Sequence, residues 1–358
     1  MEPTLLLVTA PGTRSLRALR AAGQLLHRPS GCTPEAIVGR LLAVQSQDLI
    51  QGRRALRARG DGFTAADVDR VLVEDRSVVV AWLNRGTIHM AARDDYPWLL
   101  GLTAPTQLAG SSRRLVQEGV SEAERGVKAI VTALGKDGPL PRRALRAHLA
   151  GQGIRIEGQA FLHQLFATAL RGLVVIGPQG VALTRDWLGT DPPKSLEGEA
   201  RDRALAELAR RYLAAHGPAS DRDLAWWAGL PVRDARAGLS AIARELSEME
   251  GGLVDLAKPN RPAAPKRMPL RLLPTWDAYL LGWKERSFLV ADHHAPRIYV
   301  GGMIGPAIAV DGLVAGSWKA RRDGKRLVTE TDAFERLPAR QLAAELTDLA
   351  RFEGLEPA

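Results

Sequence analysis

The sequence predicts an α+β fold: three tandem winged-helix units followed by a strand-rich C-terminal unit closed by one helix. Three observations carry this expectation. Apolar residues recur at helical spacing from residue 15 to about residue 250 of the 358. Groups of helical segments end in paired, short, β-branched runs bounded by turn residues. After a stretch with four prolines at 258–269, the pattern changes to short strands. The boundaries this implies are 1–110, 111–196, 197–257 and 258–358.

The elements follow in order. Residues 15–26 place Leu16, Leu19, Leu25 and Leu26 on one face of a helix. Thr33-Pro34 pairs a capping side chain with proline at the first helical position, opening a helix through Ile37, Val38, Leu41 and Leu42. Residues 52–59 form a short helix, and Thr64 with Asp67 opens another in the manner of a capping box. Residues 78–92 are interrupted at Asn84-Arg85-Gly86 and read as a hairpin. Helices are expected again at 121–134, 141–149 and 158–170, with a hairpin at 173–184. A third set spans 199–215, 221–228 and 232–246, with a strand at 252–256. Gly138-Pro139 with Leu145 recurs as Gly217-Pro218 with Leu224, 79 residues on, which suggests copies of one unit. Beyond the prolines, strands are expected at 271–273, 279–281, 288–290, 307–310 and 313–315, then a helix at 338–352.

Composition narrows the class. One cysteine, Cys32, excludes a disulfide framework within the chain and any cysteine-rich zinc module. No apolar run reaches the roughly 18 residues of a membrane span, and residues 4–10 are too short for a signal sequence. A soluble cytoplasmic chain without membrane partner is the expectation. The 49 Lys and Arg against 40 Asp and Glu give a net charge of +9, a modest excess that permits a polyanionic partner. His293-His294 looks too isolated for a metal site, so no metal or other cofactor is expected. The glycines at 301, 302 and 305 lack the helix and lysine of a phosphate loop.

The most unusual local feature is Val44-Gln45-Ser46-Gln47-Asp48, between two expected helices. Two amides at i and i+2 in a turn can converge on a water, one carbonyl accepting and one NH2 donating. Asp48 is an auxiliary candidate that could activate water or, alternatively, cap the helix that follows.

Taken together, several motifs resemble the winged-helix DNA glycosylases of the AlkZ type and their YcaQ (AlkX) relatives. They are Val44-Gln-Ser-Gln-Asp48, Trp82-Leu-Asn-Arg-Gly-Thr-Ile-His89 and Ala215-His-Gly-Pro218. The others are Leu272-Leu-Pro-Thr-Trp-Asp-Ala-Tyr-Leu-Leu-Gly282, Val310-Asp-Gly312 and Gly316-Ser-Trp-Lys319. The resemblance implies that Gln45 and Gln47 are the catalytic pair, in the AlkZ-like Gln-x-Gln branch. It departs at Ser46, where an apolar residue is usual, and at Trp276, where Phe is expected. It also implies the activity: monofunctional hydrolysis of the N-glycosidic bond of N7- or N3-alkylated purines in double-stranded DNA by a monomer. Unhooking of interstrand crosslinks and self-protection against an alkylating natural product fall within that implication.

Cations are the candidates for phosphate contacts. They are Arg53, Arg54 and Arg57 after the Gln-x-Gln loop, and Arg85 and His89 on the first hairpin. Lys284 and Arg286, beside Trp283, and Lys319, Arg321 and Arg322 complete the set. His89 could instead be buried and satisfied by backbone, and Trp276 and Tyr279 read as core. The rival reading is a non-enzymatic DNA-binding regulator, since helix-turn-helix units normally read the major groove. Against it, the helix at 160–170 offers Phe161, Leu162, Leu165 and Phe166 but few side chains suited to base edges. A third possibility is a scaffold whose C-terminal unit binds a protein.

Overall fold

The computed structural model describes residues 7–8, 12–120 and 123–357. Apart from 7–8, the stretch 4–10 lies outside them, as does Ser121, the expected first residue of a helix.

The local rules place most of the helices. Thr33 caps Pro34–Leu41 through the Ala36 N–H at 3.2 Å. Thr64 and Asp67 form the reciprocal capping box that opens Ala65–Val73. Ser220 and Asp223 do the same for Asp221–Ala228. Among the described residues, a set of helices followed by a two-strand hairpin occurs three times. The hairpins are Val78–Trp82 with Ile88–Ala92, Val174–Gly177 with Gly180–Leu183, and Leu246–Met249 with Leu253–Leu256.

The sets are not separate bodies. Val80 pairs with Ile176, so the first two hairpins share one five-stranded sheet. Its edge is Val44–Gln45, paired to His89 and Met90. Helix Tyr96–Gln117, which the sequence pattern did not suggest, runs through the boundary expected at 110/111. Pro105 inside it cannot donate to the Gly101 carbonyl, and the Leu196 N–H occupies that acceptor at 3.1 Å. A side chain at Gly101 would meet the Lys194 carbonyl at 2.4 Å, so glycine is what lets the strap 194–196 dock there. Leu7–Val8 pairs in parallel with Leu246–Met249, tying the N-terminal end to the third hairpin. One hydrophobic core runs from Ala21 to Phe352 through all three sets.

In the C-terminal part, Arg271–Leu273, Ala307–Val310, Leu313–Asp323, Arg326–Ala333 and Glu356–Pro357 form a second five-stranded sheet. Helix Ala339–Phe352 closes it over a smaller core of Leu270, Leu272, Ile308, Trp318, Leu327 and Leu349. Three expectations need correction. Residues 279–281 are a turn of helix within Ala278–Leu281, and 288–290 form turns, because both runs are apolar through burial in the large core. Helix Val232–Ala241 stops five residues early, and Leu246 begins a strand instead. The proline-rich stretch is a fastened strap: Arg261 pairs with Asp255 and donates to the Gly217 carbonyl.

Candidate active site

The Gln-x-Gln segment is held from three sides. Gln45 is the last residue of an edge strand opposite His89. The Ser46 N–H donates to the Ile88 carbonyl at 2.7 Å, and its hydroxyl donates back to Val44 O at 2.9 Å. The buried Ser46 side chain rests on Gly52 of helix Leu49–Arg57, where an added Cβ would lie 2.4 Å from Oγ. A small residue between the glutamines thus matches a glycine beneath it. Gly52→Ala is expected to displace the loop, cost about 1–3 kcal/mol by overpacking, and lower activity several-fold; urea unfolding and turnover assays check both. Asp48 caps the same helix, its carboxylate accepting from the Ile50 N–H at 2.8 Å.

Gln45 and Gln47 open on a cavity of about 530 Å³. Its walls include Trp226 from the third helical set, Trp276 and Tyr299 from the C-terminal part, and Arg85 and Arg286. Among the described residues that line it there is no carboxylate, lysine, histidine or cysteine. Trp276 sits in the left-handed region at φ 59°, a strained setting for a bulky residue. It is half-buried on the cavity wall, whereas Tyr279 is core as expected. Arg286 stacks between aromatic rings, its Cζ 4.5 Å from the Trp226 centroid and 4.9 Å from Tyr299.

The amide geometry differs from a carbonyl-and-NH2 pair. Gln45 Oε1 accepts from Arg85 Nη2 at 3.1 Å, and Gln47 Oε1 accepts from the Ile88 N–H at 3.1 Å. Both carbonyl oxygens are engaged by protein.

Several expected phosphate contacts are elsewhere. Arg54 is buried, paired with Glu353 at 2.6 Å and stacked on Trp318. Arg57 is 1% exposed and bound to Glu345 and Asp348, which leaves it no free face for a phosphate, whereas Arg54 still borders a cavity. His89 is buried and donates to the Thr87 carbonyl at 2.9 Å. Burial, then the charge of Arg85, drives its pKa down to about 3, so it is neutral and cannot act as a cation. Arg85 is turned inward to the cavity. Trp283, beside the expected contacts Lys284 and Arg286, is fully buried and donates to His216 O. Arg53 is half-buried and paired with Asp69. Lys284, Lys319, Arg321 and Arg322 are exposed. Lys319 and Arg321 line a neighbouring cavity of about 440 Å³ with Gln51, Arg54 and Trp318, while Lys284 borders a different one. His293 and His294 are less isolated than expected, since Glu335 brings a third potential ligand within 4.8 Å.

Sequence reasoning missed Trp226 and Tyr299. The tandem Trp226-Trp227 held the available signal. Adjacent helical residues point about 100° apart, so burying Trp227 against Tyr212 and His216 turns Trp226 outward.

Comparison with known proteins agrees with this architecture. The family model described as DNA glycosylase AlkZ-like matches residues 38–352. The solved structure of Streptomyces sahachiroi DNA glycosylase AlkZ is similar, with a TM-score of 0.80 at 25% identity over 98% of each chain. No curated protein matches the chain.

Proposed function

The chain belongs to the AlkZ-like DNA glycosylase family, and on that premise we propose that it hydrolyses the N-glycosidic bond of N7- and N3-alkylated purines in duplex DNA, with Gln45 and Gln47 orienting the water. The observation that supports this reading is the cavity itself: two amides facing aromatic walls, with no carboxylate, imidazole or amine among the described lining residues. An N-alkylated purine is already cationic, so it departs without protonation by an acid. The remaining barrier is formation of an oxocarbenium-like sugar and its capture by water. Neutral amides can lower that barrier only by placing the water and by local electrostatics. Trp276 supplies a face on which an extruded purine can stack, while Trp226 and Tyr299 hold Arg286 between their rings. The absence of lysine from the described lining residues favours a monofunctional reaction without a Schiff base.

Exposed Lys284, Lys319, Arg321 and Arg322 are the proposed phosphate contacts, with Arg53 in a lesser role. The same chemistry at one arm of an interstrand crosslink would unhook it, and we extend the proposal to such substrates and to bulky natural-product adducts, whether in general repair or self-protection. We place the protein as a monomer in the cytoplasm, bound at the nucleoid when on DNA. Among the described residues no helix is long and apolar enough to cross a membrane.

The test is incubation of the purified protein with duplex containing N7-methylguanine or a nitrogen-mustard crosslink. Free base and alkali-labile strands are expected. Gln45→Ala and Gln47→Ala should each slow release at least about tenfold. Full activity in the double variant would overturn the assignment of the pair. Tight, sequence-dependent binding to undamaged duplex with no release from any N-alkyl purine would favour a regulator.

A further inference from the structure

The two ends of a glutamine amide have nearly the same shape and opposite chemistry, one donating and one accepting. Which end meets the substrate must therefore be set by a neighbour. For Gln47 the neighbour is backbone: the Ile88 N–H can only donate, so the atom 3.1 Å from it is the carbonyl oxygen. For Gln45 it is a side chain. The Arg85 guanidinium has five N–H donors and no acceptor, so the atom 3.1 Å from Nη2 is likewise Oε1. Neither Nε2 has a hydrogen-bond partner among the described residues, and both glutamines line the cavity.

We infer that Arg85 is a positioning residue, fixing the Gln45 amide with its NH2 toward the cavity so that the glutamines present two donors. The inference rests on the assignment of Gln45 and Gln47 as the reacting pair and adds what orients one of them. Two donors divide the work. One can hold the water through a single lone pair, leaving the other lone pair for C1′. As that bond forms the C1′–N9 bond breaks, the purine leaves uncharged, and the surplus proton of the water passes to solvent. The second can serve an acceptor on the departing purine.

The fold goes to some length to hold Arg85 in place. It sits at φ 55° in the turn of the first hairpin, a left-handed conformation that a non-glycine residue rarely adopts. Its Nη1 donates to the Trp227 carbonyl at 2.7 Å, and its Cζ lies 4.8 Å from the Trp226 ring centroid. Gly229, itself at φ 70°, admits this turn: a Cβ there would come within 2.9 Å of the Arg85 nitrogen. Arg286 then joins Trp226 to Tyr299, so a ladder of guanidinium and aromatic groups runs from the C-terminal part to the Gln45 carbonyl.

The pairing pattern separates Arg85 from arginines whose task is to fasten the fold. Arg54, Arg57 and Arg59 each bind a carboxylate. The hydrogen bonds of Arg85 go instead to a backbone carbonyl and to Gln45. Burial and the charge of Arg286 lower its pKa to about 10, which still leaves it protonated and donating at neutral pH.

The experiment combines kinetics with a direct reading of the amide. Arg85→Met keeps the apolar stem and removes the donors, and Arg85→Lys restores one donor without the fork. Single-turnover release of N7-methylguanine at saturating protein is expected to fall about tenfold in Arg85→Met, with duplex Kd changed less than about twofold. Arg85→Lys should recover part of the rate. In a Gln45→Ala background the Arg85→Met loss should vanish, and in a Gln47→Ala background it should persist. Independently of activity, the Gln45 side-chain NH2 resonances in 15N-labelled protein, assigned with Gln45→Ala, should lose their dispersion in Arg85→Met. A loss that is additive with Gln45→Ala, or wholly in Kd, or an unchanged NH2 signature, would overturn the inference. Full activity of Gln45→Ala would instead sink the assignment of Gln45, and the NMR result would still decide whether Arg85 orients it.

Discussion

Asp277→Ala is expected to cost the fold about 3–5 kcal/mol, the range for removing one partner of a buried ion pair. Arg59 and Asp277 are both fully excluded from solvent. They meet in two parallel hydrogen bonds of 2.8 Å. The two terminal nitrogens of Arg59 make further bonds, to Gln24 Oε1 and to the Ala55 carbonyl, and Asp277 also accepts from the Tyr279 N–H; Arg59 Nε is buried without a partner among the described residues. Alanine at 277 would leave a guanidinium without counter-charge in the large core, where water cannot replace the lost acceptor. Urea unfolding should show the loss as a lower midpoint with little change in slope. The double change Arg59→Met with Asp277→Leu should be milder than the single one, since it removes both desolvated charges together. A midpoint unchanged in Asp277→Ala would show that the pair contributes nothing. The same variant should also impair base release, because Asp277 follows Trp276 directly and anchors the turn that sets that ring on the cavity wall.

What could be read from sequence divides along the range of the interaction. Caps such as Thr33 and Thr64 were legible because donor and acceptor lie three residues apart. The Gln-x-Gln loop was legible as a motif, and its neighbours on either side were legible as helices. The basic run Arg53 to Arg59 has the spacing of a solvated helix face, and the structure buries most of it. Its carboxylate partners Asp277, Asp348 and Glu353 stand 218 to 299 residues away, where no local window can show them. The long helix Tyr96–Gln117 failed for the converse reason: Pro105 and Gly101 look like local breakers, and only the docking of Leu196 makes them acceptable. The site has the same division. The amides come from a short stretch, but the aromatic walls come from residues 226, 276 and 299, brought together by one continuous core.

Two imidazoles inside that core should make the protein acid-sensitive well above the pH at which ordinary carboxylates titrate. His216 stacks on Tyr212 with centroids 4.6 Å apart and donates from Nδ1 to the Tyr212 carbonyl at 3.2 Å. Its Nε2 is buried without a partner, so a proton placed there would find no acceptor. Burial drives its pKa down to about 3, with the charges of Arg59, Arg40 and Arg20 acting in the same direction. His89 is lowered to about 3 for the same leading reason. Both are neutral when folded, whereas in the unfolded chain they take up a proton near pH 6.5. The unfolded state therefore binds more protons between pH 6.5 and 3, and stability must fall as pH drops through that window. At one pKa unit per 1.36 kcal/mol, each histidine removes about 2–3 kcal/mol by pH 4.5. Asp255 opposes this in part, since burial raises its pKa and it gains protons on folding. Two such losses are a large share of the 5–15 kcal/mol typical of a folded domain. Urea midpoints from pH 7 to 4.5 should decline steeply, and His216→Phe, which keeps the ring stack and removes the titrating nitrogens, should roughly halve the slope. A wild-type midpoint that stays level over that range would show that the imidazoles are not held neutral.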